Sequence, residues 1–377
     1  DIYFWKVKYW DNEGAESVFS SPASWEMALL DNSDWNAQWI TRNETKDKED
    51  SLRSIIFRKG FNIDKSIKKA RLFVTGLGNY VFYINGEKVG KDILTPGWTH
   101  YPKRLQYQVY DITEMITEGN NTAGAILGNA WWSGGLGWGK DPNSRKRYSF
   151  GPMKILTQIE IEDESGNIQT IVSDDSWKWS ESPITFNNLY DGVHYDARLE
   201  QEGWNSAGFD ESSWKNVAIP APETSILIAQ QAPPLRIEKE LIAQSVTKAP
   251  NGNYVFDYGQ NMVGWGKLKV SGKAGTEIKM KFAELLHDDG TVAQENLRSA
   301  IGTDIYILKG EGTEIWEPQF TYSGFRYVEL EGYPGVPTKD ALKGVVFYSS
   351  APWIGKFESS NTLMNTIIKN ITWGQRG

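Results

Sequence analysis

The chain has 377 residues, 40% hydrophobic and 23% charged, and carries a net charge of −8. That balance argues against a nucleic-acid partner, because phosphate binding needs a basic face. There is no cysteine and there are only three histidines, His100, His194 and His287. Disulfides, thiol chemistry and cysteine metal sites are excluded, and a histidine metal centre has little to draw on. No segment is long and apolar enough to cross a membrane as a helix. The 17 Trp, 17 Tyr and 15 Phe are the unusual feature. Such rings fill the layer between the sheets of a β-sandwich or lie against sugar rings.

The length suggests two or three domains. At the N-terminus Tyr3, Trp5, Val7 and Tyr9 alternate with Phe4, Lys6 and Lys8, as in a half-buried strand. A turn at Asp11–Gly14 leads to a second expected strand over Ala15–Phe19. Two strands are too few to stand alone, so this stretch reads as the end of a fibronectin-like domain over 1–30. Asp31 opens a link to the next domain.

From about Ser54 to Pro220 short strands recur, among them Ser54–Phe61, Arg71–Thr75, Tyr80–Asn85, Arg104–Asp111, Asn121–Leu127, Lys154–Glu162, Ile168–Ser173 and Trp177–Glu181. Gly, Asn, Asp and Pro punctuate them, as in a sandwich or jelly roll. Asn85-Gly86 between β-rich runs predicts a tight hairpin, since both residues must take positive φ. Asn129 to Trp138 then places three tryptophans among glycines. These rings are either buried over the sandwich or present a surface for sugars or another domain. The stretch 188–205 is dense in acids and rings and holds Asp196 beside Arg198. A locally paired loop is the favoured reading there, and a cleft-facing site the other.

Ile219–Pro234 is rich in Pro and Ala and marks the clearest boundary, so the first sandwich spans 31–232. Strands resume at Tyr254–Asp257, Gly266–Val270, Glu277–Phe282, Thr303–Leu308, Phe320–Thr321 and Tyr327–Glu331, predicting a second sandwich over 233–348. The remainder, 349–377, contains the one convincing helix. Asn361 offers its cap, and Leu363, Met364, Ile367, Ile368 and Ile371 share a face that wants a partner. The fold class is all-β. Glycoside hydrolysis needs two flanking carboxylates. The candidates Glu284, Asp288, Asp289 and Glu295 sit around an Asp-Asp-Gly that is first a turn signal. No zinc-protease, nucleophile-elbow, phosphate-loop or dinucleotide motif occurs.

The segments RLFVTGLGNYVFYINGEKVG, LTPGWTHYPKRLQYQVYDIT, GNAWWSGGLGW, YDARLEQEGW, FDYGQNMVGW, FAELLHDDGTVAQENLRSA and FESSNTLMNTIIKNITWGQRG resemble, in order, the N-terminal region of bacterial α-L-rhamnosidases, glycoside hydrolase family 78. The resemblance implies a galactose-binding-like first sandwich, a concanavalin-like second one and, from 349, the first helix of a six-hairpin (α/α)6 barrel. It implies an inverting enzyme that releases terminal non-reducing α-L-rhamnose from polysaccharides or glycosides. The catalytic acids would lie in the barrel beyond Gly377, so no catalytic residue is assigned in this chain.

By the same resemblance, Trp98, Asn129, Trp131, Trp132 and Trp138 are candidate sugar-binding residues. Asp196, Arg198, Asp257, Gln260, Asn261, Trp265, Glu295, Asn296 and Arg298 are candidates for supporting contacts to the barrel. No cofactor is required, although some members bind calcium in the first sandwich. The partners implied are rhamnose-containing glycans and the intramolecular barrel, with no nucleic acid and no membrane. The alternative is a stand-alone carbohydrate-binding or scaffold protein. The compartment stays open.

Overall fold

The computed structural model describes residues 2–43, 52–135 and 150–377. A hairpin organises the first sandwich. Asn85 and Gly86 both take positive φ (51° and 90°), so Asn79–Ile84 folds directly back onto Glu87–Lys88. These strands, with Gly119–Gly128, Ile55–Ile63, Lys178–Glu181 and Lys215–Asn216, form a six-stranded sheet. A five-stranded sheet faces it, ordered Ile168–Val172, Lys154–Asp163, Ile67–Leu77, Arg104–Asp111 and Ile226–Ala229. Phe57, Leu72, Val74, Phe82, Leu127 and Ile159 meet between the layers. Trp177 is fully buried among them, its indole N–H satisfied by the Val172 carbonyl at 2.8 Å.

Ile67–Leu77 also buries its opposite face. Phe73 and Leu77 join Leu105, Tyr107, Trp265, Val345 and Phe347 in a second core shared with the C-terminal half of the chain. This two-sided burial explains why the strand's end, Leu72–Leu77, is buried at every position and does not alternate.

Most of the remaining strands form an eleven-stranded sheet, and two two-stranded sheets stand outside it. Its spine is Tyr254–Ser271, an 18-residue strand that takes in both of the short strands expected at 254–257 and 266–270. Its register against Ser323–Glu331 shifts between Asp257 and Met262. Leu342–Ser349 pairs with the spine on one side and with Leu235–Ile242 on the other. The sheet crosses into the first half of the chain twice. Asp92–Ile93 pairs with Leu235–Ile242, and Gly192–Asp196 runs parallel to Thr303–Ile307. At that second joint the Val193 N–H donates to Asp304 Oδ1 at 2.9 Å. A Cβ on Gly192 (φ +106°) would lie 2.0 Å from the Thr303 carbonyl oxygen.

Three local expectations change. Ala15–Phe19 is not a strand. Ile2–Trp5 pairs instead with Ala23–Glu26, where Tyr3 stacks on Trp25 at 4.7 Å. Phe320 takes φ +65°, which breaks the extended backbone expected at Phe320–Thr321. Within the Pro-rich 219–234, Ile226–Ala229 is a strand lying parallel to Arg104–Asp111. The helix forms as expected over Thr362–Arg376, its Asn361 side chain accepting from the Leu363 and Met364 N–H groups.

Asp304 is 2% exposed, and burial raises its carboxyl from the ordinary range to about 7. The folded state therefore holds this proton more tightly than the unfolded chain. The contribution of Asp304 to stability is fully present below about pH 4 and is lost as pH rises towards 7. Asp304→Asn keeps the acceptor for Val193 and should abolish this slope, gaining on the order of 3 kcal/mol at pH 8 and almost nothing at pH 4. Thermal unfolding across pH reads this out. Gly192→Ala should cost about 3 kcal/mol or more, because its methyl group collides with backbone. A denaturant midpoint that does not move would contradict this.

Candidate functional site

The structure divides the candidate residues among four places. Asn129 and its two tryptophan neighbours are internal. Trp131 is 9% and Trp132 8% exposed, and both belong to the core shared by the two halves of the chain. The Trp132 indole N–H donates to the Pro152 carbonyl at 2.9 Å, and its ring stacks on Phe150. Asn129 is fully buried, donating to the Leu52 and Asn187 carbonyls. The Trp132 ring, packed on Phe150 and Tyr101, is not free to lie under a sugar, so the buried reading of this stretch describes it, while Trp131 is buried and lines an apolar cavity at the C-terminal end. Trp98 is 59% exposed. Trp138 lies outside the described residues. Among the described residues no group of three or more His, Asp or Glu side chains is placed to hold a metal ion.

A second group gathers at one rim of the long sheet. Arg326 donates two hydrogen bonds to Asp257 (2.8 and 2.9 Å), and the Gly259 N–H adds a third at 2.7 Å. The guanidinium, aided by that amide, holds the Asp257 carboxyl below its usual range. The bulge carries Gln260 and Asn261 beside it. Asn261 donates to Glu284 at 2.7 Å, Asn296 reaches the other Glu284 oxygen at 3.5 Å, and Gln260 closes back on the Asn261 carbonyl. Glu295 lies 3.2 Å from His287 Nε2, and Arg298 follows at φ +61°. Asp289 caps the Thr291 backbone, so Asp-Asp-Gly is a turn. The patch is exposed, and its carboxylates are engaged by amides, a guanidinium and an imidazole. It can orient a polar partner by hydrogen bonds.

Trp265 stands apart from this rim. It is buried, packs on Phe347 with centroids 4.5 Å apart, and donates to Glu317 at 3.0 Å. Its role is in the shared core.

Arg198 lines a cleft at the joint of the two sandwiches, and Asp196 is buried behind it. Arg198 grips Asp196 at 2.9 and 2.7 Å, and its backbone N–H is capped by the same carboxylate. The loop continues to Glu200, which accepts from the Tyr195 hydroxyl (2.9 Å) and from Lys309 (3.1 Å). Buried Arg58 fixes the loop's far end by donating to the Trp204 and Ser206 carbonyls while pairing with Glu211. Sequence reading missed Arg58, Arg326, Glu317 and Lys309 as partners. Arg326 is 69 positions from Asp257 and Arg58 is 146 from Trp204, so local spacing carries no sign of them. Among the described residues, the one carboxyl whose proton affinity is resolved as raised, Asp304, is buried inside the joint.

At the C-terminal end an apolar cavity of about 620 Å³ lies between Leu94, Trp131, Val263, Phe347, Trp353 and the end of the helix. Ile354 is 98% exposed beside it, and Leu363, Met364, Ile367 and Ile371 of the helix are exposed as well.

Three family matches cover most of the chain. Residues 1–31 match the Rha78A-like N-terminal immunoglobulin domain, 65–239 the α-L-rhamnosidase N-terminal domain, and 247–348 the bacterial α-L-rhamnosidase concanavalin-like domain. An α-L-rhamnosidase of Formosa agariphila is 40% identical over 386 residues, covering 99% of this chain and 41% of that protein. The solved α-L-rhamnosidase of Dictyoglumus thermophilum superposes with a TM-score of 0.92 at 42% identity, covering 99% of this chain and 42% of that one. The Streptomyces avermitilis α-L-rhamnosidase, solved with L-rhamnose, gives 0.89 at 29% identity, covering all of this chain and 52% of that one. The chain spans between 30% and 42% of the length of the curated relatives it matches. With the sandwich architecture, the ordered domain matches and this identity along nearly its full length, the chain belongs to the bacterial α-L-rhamnosidases of glycoside hydrolase family 78 and corresponds to their N-terminal β-domain region.

Proposed function

We propose that the chain is the non-catalytic β-domain portion of an α-L-rhamnosidase that releases terminal α-L-rhamnose from polysaccharides or glycosides with inversion. One observation carries this reading: α-L-rhamnosidases align with the chain at 34–42% identity and extend well past the length it covers. The exposed apolar face of Thr362–Arg376 and the cavity beside it fit a role in supporting a barrel. The amide and carboxylate rim around Asp257, Asn261, Glu284 and Asn296 would then help to frame the barrel's substrate mouth. Carboxylates already held by guanidinium and amide groups suit positioning, whereas acid catalysis calls for a raised proton affinity.

Two measurements follow. The longer protein containing these 377 residues should hydrolyse an aryl α-L-rhamnoside and release β-L-rhamnose first, as seen by proton NMR. The chain alone should be inactive, and hydrolysis by it that survives repurification would overturn the reading. In sedimentation the chain alone should self-associate through its helix, and Ile367→Lys with Ile371→Lys should shift it towards monomer. A monomer with or without those substitutions would show that the apolar face needs no cover.

A further inference from the structure

The cleft at the joint holds about 610 Å³, within the range of small-ligand sites. Its floor is apolar and comes from the first sandwich: Ile56, Tyr83 and Ile126. One wall is the loop from Tyr195 to Asn205, and the other is Lys309, Glu311 and Gln319 from the second sandwich. These walls are held in place. Arg58 fixes the backbone at Trp204 and Ser206, and the Gly86 N–H donates to the Asn205 carbonyl at 2.8 Å. Trp204 meets Tyr83 edge-on and lies over Gly124, where a Cβ would come within 2.7 Å of its ring.

The charges of the cleft select the ligand class. Lys309 is shared between Glu200 (3.1 Å) and Glu311 (3.4 Å), and Arg198 is bound by Asp196. Three lining carboxylates, Glu200, Glu202 and Glu311, face two lining cations, Arg198 and Lys309. A phosphate or carboxylate ligand would meet no uncommitted cation and a surplus of negative charge. One buried acceptor, Gln319 Oε1, has no hydrogen-bond partner, a state that a donor from a ligand would relieve. An apolar floor with aromatic rings, a rim of acceptors and an unfilled buried acceptor suit a molecule with hydroxyls on one side and carbon on the other.

We propose that this cleft is a subsite for a neutral sugar unit, its hydroxyls meeting Glu202, Asn205 and Gln319 and its carbon face lying over Tyr83 and Ile126. The choice of probe rests on the rhamnosidase reading; the cleft's chemistry does not. Saturation-transfer NMR on the 377-residue chain with L-rhamnose, and glycerol as the non-specific polyol, tests it. Transfer to rhamnose should exceed transfer to glycerol. Glu202→Ala with Gln319→Ala should weaken binding roughly fivefold or more while leaving the unfolding temperature in place. Asn205→Ala, on the rim, gives a second reading if that pair fails to fold. Absence of transfer, or transfer unchanged in these variants, overturns the subsite. Transfer abolished by Trp98→Ala would overturn it by placing the sugar elsewhere. A longer protein that hydrolyses the aryl rhamnoside while the chain binds no sugar defeats the subsite alone. Sugar binding without hydrolysis by the longer protein defeats the hydrolase reading alone.

Discussion

The parallel pairing of Gly192–Asp196 with Thr303–Ile307 is the constraint on which the arrangement of the two sandwiches depends. It joins segments about 110 positions apart through backbone hydrogen bonds, a buried carboxyl and a glycine with no room for a side chain. Each strand delivers a wall of the cleft within a few residues of the joint. One leads through the Asp196 cap to Glu200, and the other ends just before Lys309, so the contact between those two side chains is set by strand register. Flexible side chains gain little from pairing at a surface. Here the backbone has already fixed where they stand.

That joint also explains what could be read from the sequence. Asn85-Gly86 announced its hairpin because turn chemistry is local, and Asn361 with its Leu and Ile stripe announced the helix for the same reason. Strand existence was legible wherever composition and turn residues agreed. Pairing was not. Nothing in 184–196 says that it belongs to the sheet of residues a hundred positions later, and Ile226–Ala229, set within the Pro-rich 219–234, gives no local sign of the strand it pairs with. The long strand read as two because Gly259-Gln260-Asn261 looks like a break, whereas the sheet absorbs it as a bulge.

The candidate residues fared in the same way. Asp196 with Arg198 are two positions apart, so their pairing could be anticipated. Trp132 and Trp265 are apolar rings whose identity alone cannot tell a core from a sugar platform, and packing on Tyr101 and Phe347 places them in the core. Asp257, Asn261 and Asn296 came together because a bulge and a short helical turn meet at one rim. Their hubs, Arg326 and Glu284, are distant in sequence from some or all of the groups they hold.

The strand Leu342–Ser349 has a consequence for synthesis. It is inserted between Leu235–Ile242 and the long strand Tyr254–Ser271, and its Val345, Val346 and Phe347 are buried. On a ribosome, the two flanking strands emerge roughly 70 to 110 residues ahead of the one that separates them. At ordinary elongation rates both would wait roughly 5–20 s with unpaired edges before the sheet closes. During that interval the nascent chain presents two adhesive ribbons, and the order of translation, more than the final stability, sets its exposure to aggregation and to chaperones.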